Sequence, residues 1–419
     1  MKFEKWTLAL AAVGLVSLPA VGTAEEKASS VMTALSSTTI SGYVDTSAQW
    51  NFGTGNANLP PYKFGGASKA DGFNLDVVQL RIEKPLDESE WAAGYRVDLW
   101  AGPDANTLGT QSTLSTGGSD FGIRQAYVAL RMPVGNGLDW KVGVFDSIIG
   151  YESVESPIDP NYTRSYGHSI EPQTHTGILG SYRFNDMLSV SAGVANTVNS
   201  SINSRAQSGS FGGTLFGTTV APGDNAYGES YKAYMASIAL TAPDSMGFLS
   251  GSTLYMGVVN GYNNSVLRTG LGMPQYNVYV GGTIATPVTG LRLGAAWDLL
   301  EVETHFSSPS AGVSGPVDAA VYSVAGYVSY QATEKLSFHF RGEYADGTLD
   351  TSPLGGGIHA KALAMTGTVQ YDLWKNVLSR VELRWDHAMS GANLFGGSVP
   401  GAPDQENAWL LAANLIYKF

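Results

Sequence analysis

Long stretches in which apolar and polar residues alternate constrain this chain more than any other feature of its sequence. Between Leu291 and Leu299, leucine, alanine and tryptophan occupy every second position, whereas Arg292 and Asp298 lie on the opposite face. A period of two is the pattern of a β-strand with one apolar and one polar face. About sixteen segments of about 10 to 14 residues follow this pattern. Their predicted spans are 39–52, 72–84, 90–101, 121–132, 138–146, 175–184, 187–197, 231–242, 252–262, 275–286, 290–302, 319–332, 335–346, 359–372, 376–388 and 406–419.

The connections between these segments alternate in length, with a short turn after each even-numbered segment and a long loop after each odd-numbered one. The short turns are Pro85–Ser89, Pro133–Gly137, Asn185–Asp186, Pro243–Gly251, Pro287–Thr289, Thr333–Glu334 and Lys375. This alternation is typical of a transmembrane antiparallel up-and-down β-barrel with periplasmic turns and extracellular loops. A soluble β-sandwich, the alternative, would favour strands of about 5–6 residues. We therefore predict an all-β fold, a transmembrane barrel of about sixteen strands.

The N-terminal residues have the order of a secretory signal peptide. Lys2 and Lys5 precede an apolar run, and small residues lead to Ala24. A positive start, a short apolar middle and small residues at the cleavage site define such a signal; a buried N-terminal helix is the alternative. We expect a protein exported to the bacterial outer membrane, with a signal peptide at 1–24, an N-terminal periplasmic extension at 25–38 and the β-barrel at 39–419.

Composition excludes several other classes of protein. The hydrophobic fraction of 43% and the 11% of aromatic residues are too high for a disordered chain, and the absence of cysteine excludes a disulfide scaffold. The net charge of −12 argues against nucleic acid as a partner. Glycine, at 51 residues, is too abundant for a helical bundle.

The C-terminal segment presents one unbroken apolar face. Its alternate positions include Trp409, Leu411, Leu415, Tyr417 and Phe419, which is the last residue. A strand of this kind would face outer-membrane lipid and lipopolysaccharide. A terminal aromatic strand also resembles the signal by which the barrel assembly machinery recognises outer-membrane proteins. We therefore predict that this strand takes part in assembly.

Five stretches are similar to the OmpL-like β-barrel porins. They are Ser41–Ser47, Lys84–Trp91, Ile123–Val128, Gly137–Asp146 and Tyr162–Gly167. The similarity is most specific over about residues 40–197, and beyond that the strand rhythm and the terminal strand carry it. The resemblance implies a passive outer-membrane channel. It brings no catalytic signature, and no site residues are carried over from it.

The polar face of the strands predicts a basic wall in the lumen. In a barrel of about sixteen strands the interior is wide enough for an aqueous channel, and five arginines would line one side of it: Arg81, Arg96, Arg341, Arg380 and Arg384. The long third loop, 147–174, carries four acids: Glu152, Glu155, Asp159 and Glu171. If this loop folds into the lumen, as in general porins, its carboxylates would face the arginines and produce a transverse field that sets ion selectivity. Alternatively, the arginines pair locally with Glu83, Asp98, Glu343, Glu382 and Asp386.

These observations predict a porin through which ions and small hydrophilic solutes diffuse passively, without cofactor or metal. One alternative is a structural or surface-binding barrel with a closed lumen. Another is a sugar-selective channel in which Trp100 and Tyr43 stack on sugar rings. General porins of this size form homotrimers, which suggests the same assembly here. The sequence has no nucleophile elbow, no zinc-protease motif and no phosphate-binding loop, so we expect no enzyme.

Overall fold

The fold is a closed barrel of sixteen antiparallel β-strands. The computed structural model describes residues 37–419 except 54, 65, 111–118, 206–212, 216–217, 221–230, 263–273, 309–312, 352–355 and 390. The predicted signal peptide therefore lies outside the described residues, as does all but the end of the predicted extension. The strands are β1 (Thr39–Phe52), β2 (Gly72–Lys84), β3 (Ala93–Ala101), β4 (Phe121–Met132), β5 (Leu138–Asp146), β6 (Thr174–Arg183), β7 (Leu188–Ala195), β8 (Gly213–Leu215), β9 (Thr218–Val220), β10 (Ala233–Thr241), β11 (Thr253–Tyr262), β12 (Pro274–Ala285), β13 (Leu291–Ser308), β14 (Val313–Gln331), β15 (Leu336–Thr351), β16 (Gly356–Trp374), β17 (Val377–Ala388) and β18 (Asn407–Lys418).

Neighbouring strands of the barrel follow one another along the chain. β7 pairs with β10, because β8 and β9 form a separate two-stranded sheet within the fourth long connection, and β1 pairs with β18 to close the barrel. Every pair of neighbouring strands in the barrel is antiparallel, and short turns alternate with long connections. The predicted fold class is confirmed.

Burial alternates along the strands with the period that the sequence predicts. On β10, Ala233, Met235 and Ala239 are buried, whereas Tyr234 and Ile238 between them are exposed. The exposed set is apolar on most strands, as a lipid-facing surface requires. The buried set faces the interior of the barrel.

Strands β13 to β16 are longer than the sequence pattern predicts. They contain 16 to 19 residues, and β13 ends at Ser308 instead of near residue 302. The backbones of β13 and β14 remain paired at Glu303 and Asp318. Apolar alternation ends where lipid ends, but backbone pairing continues past that level. The pattern therefore underestimates the length of these strands.

The C-terminal strand closes the barrel against β1. Leu411 pairs with Trp50, and the backbone of Phe419 exchanges two hydrogen bonds with Gly42, at 2.9 and 3.0 Å. Trp409, Leu415, Tyr417 and Phe419 expose between 41 and 50% of their surface on the outer face, where lipid would cover them. The part of this strand in assembly stays a prediction.

Helical structure in the described residues is limited to short segments. Helix α1 spans Tyr166–Ile170, and 3-10 turns span Ala67–Lys69, Pro103–Leu108, Ser156–Ile158 and Asp244–Leu249. Across the described part of the chain, no helix has the length and apolar character needed to cross a membrane.

Candidate functional site

The connection between β5 and β6, residues 147–173 (loop L3), contacts the inner face of the barrel on two sides. Its first residues are apolar and pack against β6 to β14. Its middle residues are charged and contact β2 to β4 and β15 to β17. L3 therefore lies across the lumen.

The apolar part of L3 is inserted between side chains of the inner wall. Ile148 and Ile149 are buried in a cluster with residues of eight strands, among them Leu179, Met235 and Val259. Tyr151 stacks on Tyr327, with ring centroids 4.0 Å apart. Burial of this kind contributes about 25 cal/mol for each Å² of apolar surface removed from water.

Two glycines of the wall make room for these side chains. A Cβ atom at Gly257 on β11 would lie 2.6 Å from Cγ2 of Ile149, and one at Gly294 on β13 would overlap the ring end of Tyr151. A side chain at either position would displace the loop or its residue. Gly257 and Gly294 thus form sockets for the apolar part of L3.

The charged part of L3 centres on Glu155. Its carboxylate contacts Arg81, accepts a hydrogen bond from Arg96 at 3.1 Å and accepts another from Arg124 at 2.9 Å. The same three arginines contact Asp98 on β3. Two carboxylates and three guanidinium groups thus form one buried network, in which each arginine has at least two acidic partners.

A second ion-pair group joins L3 to β15. Arg341 contacts Glu152 of the loop at 2.9 Å and Glu343 of its own strand at 3.0 Å, and all three side chains are at most 1% exposed. Removing one partner of such a buried pair leaves an uncompensated charge and costs about 3–5 kcal/mol. This pairing therefore holds the middle of L3 firmly against the wall.

The wall also binds the backbone of L3. Glu382 accepts hydrogen bonds from the backbone N–H groups of Tyr162 and Thr163, at 2.6 and 2.9 Å. Arg380 donates to the carbonyl oxygen of Ser156 at 2.7 Å, and Arg384 donates to that of Arg164 at 2.6 Å. Groups that an irregular loop leaves without partners are satisfied in this way.

The five arginines assigned to the basic wall all contact L3, but the predicted acids do not behave alike. Glu152 and Glu155 reach the wall arginines, whereas Asp159 pairs with Arg164 of its own loop at 3.3 Å. Glu171 lies beside Asp298 on β13. The acids and arginines are in contact rather than facing each other across an opening, because buried charges are costly unless they are paired. The wall arginines also pair with carboxylates of the strands, as the alternative prediction had it. Asp98, Glu343 and Asp386 pair with the arginines, and Glu83 lies 3.9 Å from Arg96.

The network changes the acidity of the loop carboxyl groups. Burial raises the pKa of Glu155, but the charges of Arg81 and Arg124 outweigh it and hold the pKa below its usual value. For Glu152 burial is stronger than the opposing charge of Arg341, and the pKa is raised to about 6. Glu155 therefore stays ionised at neutral pH, while Glu152 takes up a proton under mildly acidic conditions.

Trp100 and Tyr43 are not available for stacking on a sugar in this arrangement. They are 1% and 3% exposed and lie in one apolar cluster with Phe64. The indole of Trp100 donates a hydrogen bond to Gln79 at 2.6 Å. The rings support the packing of the loops against β1 to β3.

A cavity of about 980 Å³ lies at the short-turn end of the barrel. Its lining includes the turns after β2, β4 and β6, together with Arg96, Tyr127, Lys141 and Tyr255 of the wall. Across the described ranges, no group of three histidine, aspartate or glutamate side chains is placed to hold a metal ion.

A closed sixteen-stranded barrel with an apolar outer surface, long loops at one end and a loop within the lumen defines an outer-membrane porin. The chain belongs to the family described as "Putative beta-barrel porin-2, OmpL-like", whose model matches residues 37–419. The predicted family and its porin function are confirmed. The protein is a β-barrel of the bacterial outer membrane that allows passive diffusion.

Solved structures of outer-membrane proteins share the fold. The channel DcaP of Acinetobacter baumannii is 13% identical, with a TM-score of 0.56, and the match covers 91% of this chain and 97% of that one. An anion-selective porin from Comamonas acidovorans is 12% identical, with a TM-score of 0.54 and coverages of 91% and 99%. OmpT of Vibrio cholerae, in a trimer form, is 10% identical, with a TM-score of 0.54 and the same coverages. A search of curated proteins gives no match.

Proposed function

We propose that ions and small hydrophilic solutes diffuse through this porin at a rate that L3 limits. The observation that carries the proposal is the contact of L3 with both sides of the inner wall. Ile149 meets Gly257 on β11, and Glu155 meets arginines on β2, β3 and β4. Because the loop lies across the lumen, the space beside it and its displacement determine the aperture.

We further propose that the charged network around L3 sets the ion preference. Each arginine of the wall is matched by nearby carboxylates or by backbone oxygens of the loop, and paired charges largely cancel at a distance. The preference therefore depends on the small excess of one sign at the aperture. A change in that excess should move the selectivity without abolishing conduction.

Single-channel recording tests the porin function directly. The purified, refolded protein is inserted into a planar bilayer under a salt gradient. We expect stable open steps, and the sign of the reversal potential identifies the preferred ion. A barrel that is folded by circular dichroism but never conducts would contradict the proposal.

A structural or surface-binding barrel with a closed lumen is the second candidate. It is favoured by the burial of inward side chains next to L3, such as Met235, Tyr279 and Arg341, which are at most 3% exposed. The two candidates differ in conductance. Saturable block of open channels by sugars would instead support a sugar-selective pore.

Neutralising Arg96 and Arg341 together should change conductance and shift the reversal potential towards cations. The double variant Arg96→Gln, Arg341→Gln removes two positive charges and leaves Glu152 with no arginine of the wall in contact. The loss of buried partners costs about 3–5 kcal/mol at each site, so L3 should also loosen. The readout is reversal potential and single-channel conductance.

The matched control for that variant is Arg183→Gln. Arg183 is 43% exposed and pairs with Asp186 at a short turn, away from L3. The Arg183→Gln variant should leave both the reversal potential and the single-channel conductance unchanged. If the double variant also conducts like the unmodified protein with the same reversal potential, the network does not set the ion preference.

Assembly and export complete the proposal. We infer a homotrimer, in line with the trimer form named for OmpT of Vibrio cholerae, and cross-linking in native membranes tests it. We also propose export through a signal peptide at 1–24, tested by N-terminal sequencing of the mature protein, and assembly through recognition of the terminal strand. The prediction that the chain is not an enzyme stays a prediction.

A further inference from the structure

The C-terminal end of L3 carries a carboxyl group that contacts a second carboxyl group of the wall. Glu171 follows helix α1 directly, and its side chain lies within hydrogen-bond reach of that of Asp298 on β13. The Glu171 side chain is 4% exposed, and Asp298 as a whole residue is also 4% exposed. Among the described residues, neither forms an ion pair with lysine or arginine. Two buried carboxylates in contact would repel strongly, so a proton must lie between them.

The backbone at two glycines lies directly against this pair of carboxyl groups. A Cβ atom at Gly167, the second residue of α1, would lie 3.1 Å from Cγ of Asp298. One at Gly150 would lie 2.5 Å from Oε2 of Glu171. The carboxyl groups therefore touch the backbone at both ends of L3. Asn277 on β12 adds a hydrogen bond of 3.0 Å to the carbonyl oxygen of Ile170.

None of the other titratable groups around Glu171 and Asp298 in the described part of the chain is a cation paired with either carboxyl group. His168 of α1 is buried, its ring lies against the backbone of Glu152, and Nδ1 lies 3.8 Å from Glu171. The further groups that act electrostatically on Glu171, Asp298 or His168 are Lys63 of the first loop, Tyr151, Glu152 and Arg164 of L3, Tyr279 of β12 and Arg341 of β15.

We propose that Glu171 and Asp298 form a proton-dependent latch that holds the end of L3 against β13, and that loss of their shared proton releases α1 and widens the passage. The effect on permeation rests on the proposed porin function. The proton-dependent docking of α1 does not, and it can be tested separately.

The direction of the pH effect follows from the docked state. Burial and then the charge of Asp298 raise the pKa of Glu171 well above its usual value. A group whose pKa is higher when docked stabilises docking at low pH, and this contribution is lost as the pH rises through the docked pKa. Burial and then the charge of Lys63 lower the pKa of His168 well below its usual value. The imidazole is therefore neutral at neutral and alkaline pH. Docking of α1 should therefore weaken under alkaline conditions.

Conductance as a function of pH tests the latch with Glu171→Gln as the main variant. An amide donates a hydrogen bond to Asp298 as the protonated carboxyl group does, but it does not ionise. Between about pH 7 and about pH 10, we expect conductance to rise about twofold or more in the unmodified protein and to rise clearly less in Glu171→Gln, in which Lys63, whose pKa burial lowers to about 8, still titrates beside α1. The range lies above neutrality because Glu152 titrates near pH 6. Glu334→Gln, at an exposed short turn, is the matched control and should behave like the unmodified protein.

A second measurement does not need conduction. Ala364 is fully buried and packs with Tyr166 of α1, and the chain has no cysteine, so Ala364→Cys introduces a single thiol under the helix. The rate at which a water-soluble maleimide labels this thiol should increase with pH in the protein that retains Glu171. In Glu171→Gln the rate should increase much less. Comparison at equal pH removes the effect of thiol ionisation itself.

The outcomes separate the two proposals. Equal pH dependence of labelling in both backgrounds would overturn the latch, whether or not the protein conducts. An alkaline rise in conductance that persists undiminished in both Glu171→Gln and Asp298→Asn would overturn it as well. Labelling that depends on Glu171 in a protein that never conducts would support the latch and contradict the porin function.

Discussion

Replacing Gly257 and Gly294 by valine should increase single-channel conductance about twofold or more, because it fills the sockets that receive the apolar part of L3. A Cβ atom added at Gly257 would lie only 2.6 Å from Ile149, and one added at Gly294 would overlap Tyr151. Tyr151 has little freedom to move aside, since it stacks on Tyr327. The loop must therefore leave the wall. Valine is also well suited to a strand, so the barrel itself should be retained.

The same sheet provides a matched control. A Cβ atom at Gly326 on β14 or at Gly367 on β16 has nothing within 4 Å, so Gly326→Val with Gly367→Val adds the same side chains without touching L3. The control should conduct like the unmodified protein. If the socket variant is folded and its conductance also remains unchanged, L3 does not limit permeation on this side of the lumen.

The sequence was sufficient to predict the barrel and most inward-facing residues, because a period of two determines which side chains share a face. Arg81, Arg341 and Arg384 follow it and lie inside, buried. Arg124 does not follow it. The register between β3 and β4 shifts next to Asp98, so that Gln125 and Ile123 face successive residues of β3 and Arg124 is left between them. This bulge turns Arg124 towards Glu155, and strict alternation could not have predicted it.

The path of L3 could not be predicted from local pattern, since it depends on contacts between residues far apart in the chain. Glu155 meets arginines of three different strands, and Glu382 binds backbone groups about 220 positions earlier in the chain. Charge and loop length indicated that an acidic loop and a basic wall exist. They did not indicate that Asp159 would pair within the loop or that Glu171 would meet another acid.

A reversible covalent tether between L3 and the wall should lower conductance and prevent its alkaline rise. Asn161 of L3 donates a hydrogen bond to Oγ1 of Thr368 on β16 at 2.7 Å, and both residues are buried. Because the chain has no cysteine, Asn161→Cys with Thr368→Cys would form the only disulfide. A cysteine thiol reaches less far from the backbone than an asparagine amide, so closing the disulfide should draw this part of L3 closer to β16.

Conductance of this double variant is recorded before and after reduction in the same membrane. We expect reduction to raise conductance about twofold or more if displacement of L3 widens the passage. Each single cysteine variant, which cannot form the tether, should show no response to the reductant. Equal conductance of the oxidised and reduced forms, with the disulfide verified by mass spectrometry, would mean that solutes pass beside a stationary loop. In that case the aperture is set by the docked arrangement of Glu152, Glu155 and their arginines, and the charge variants rather than the socket variants would change permeation.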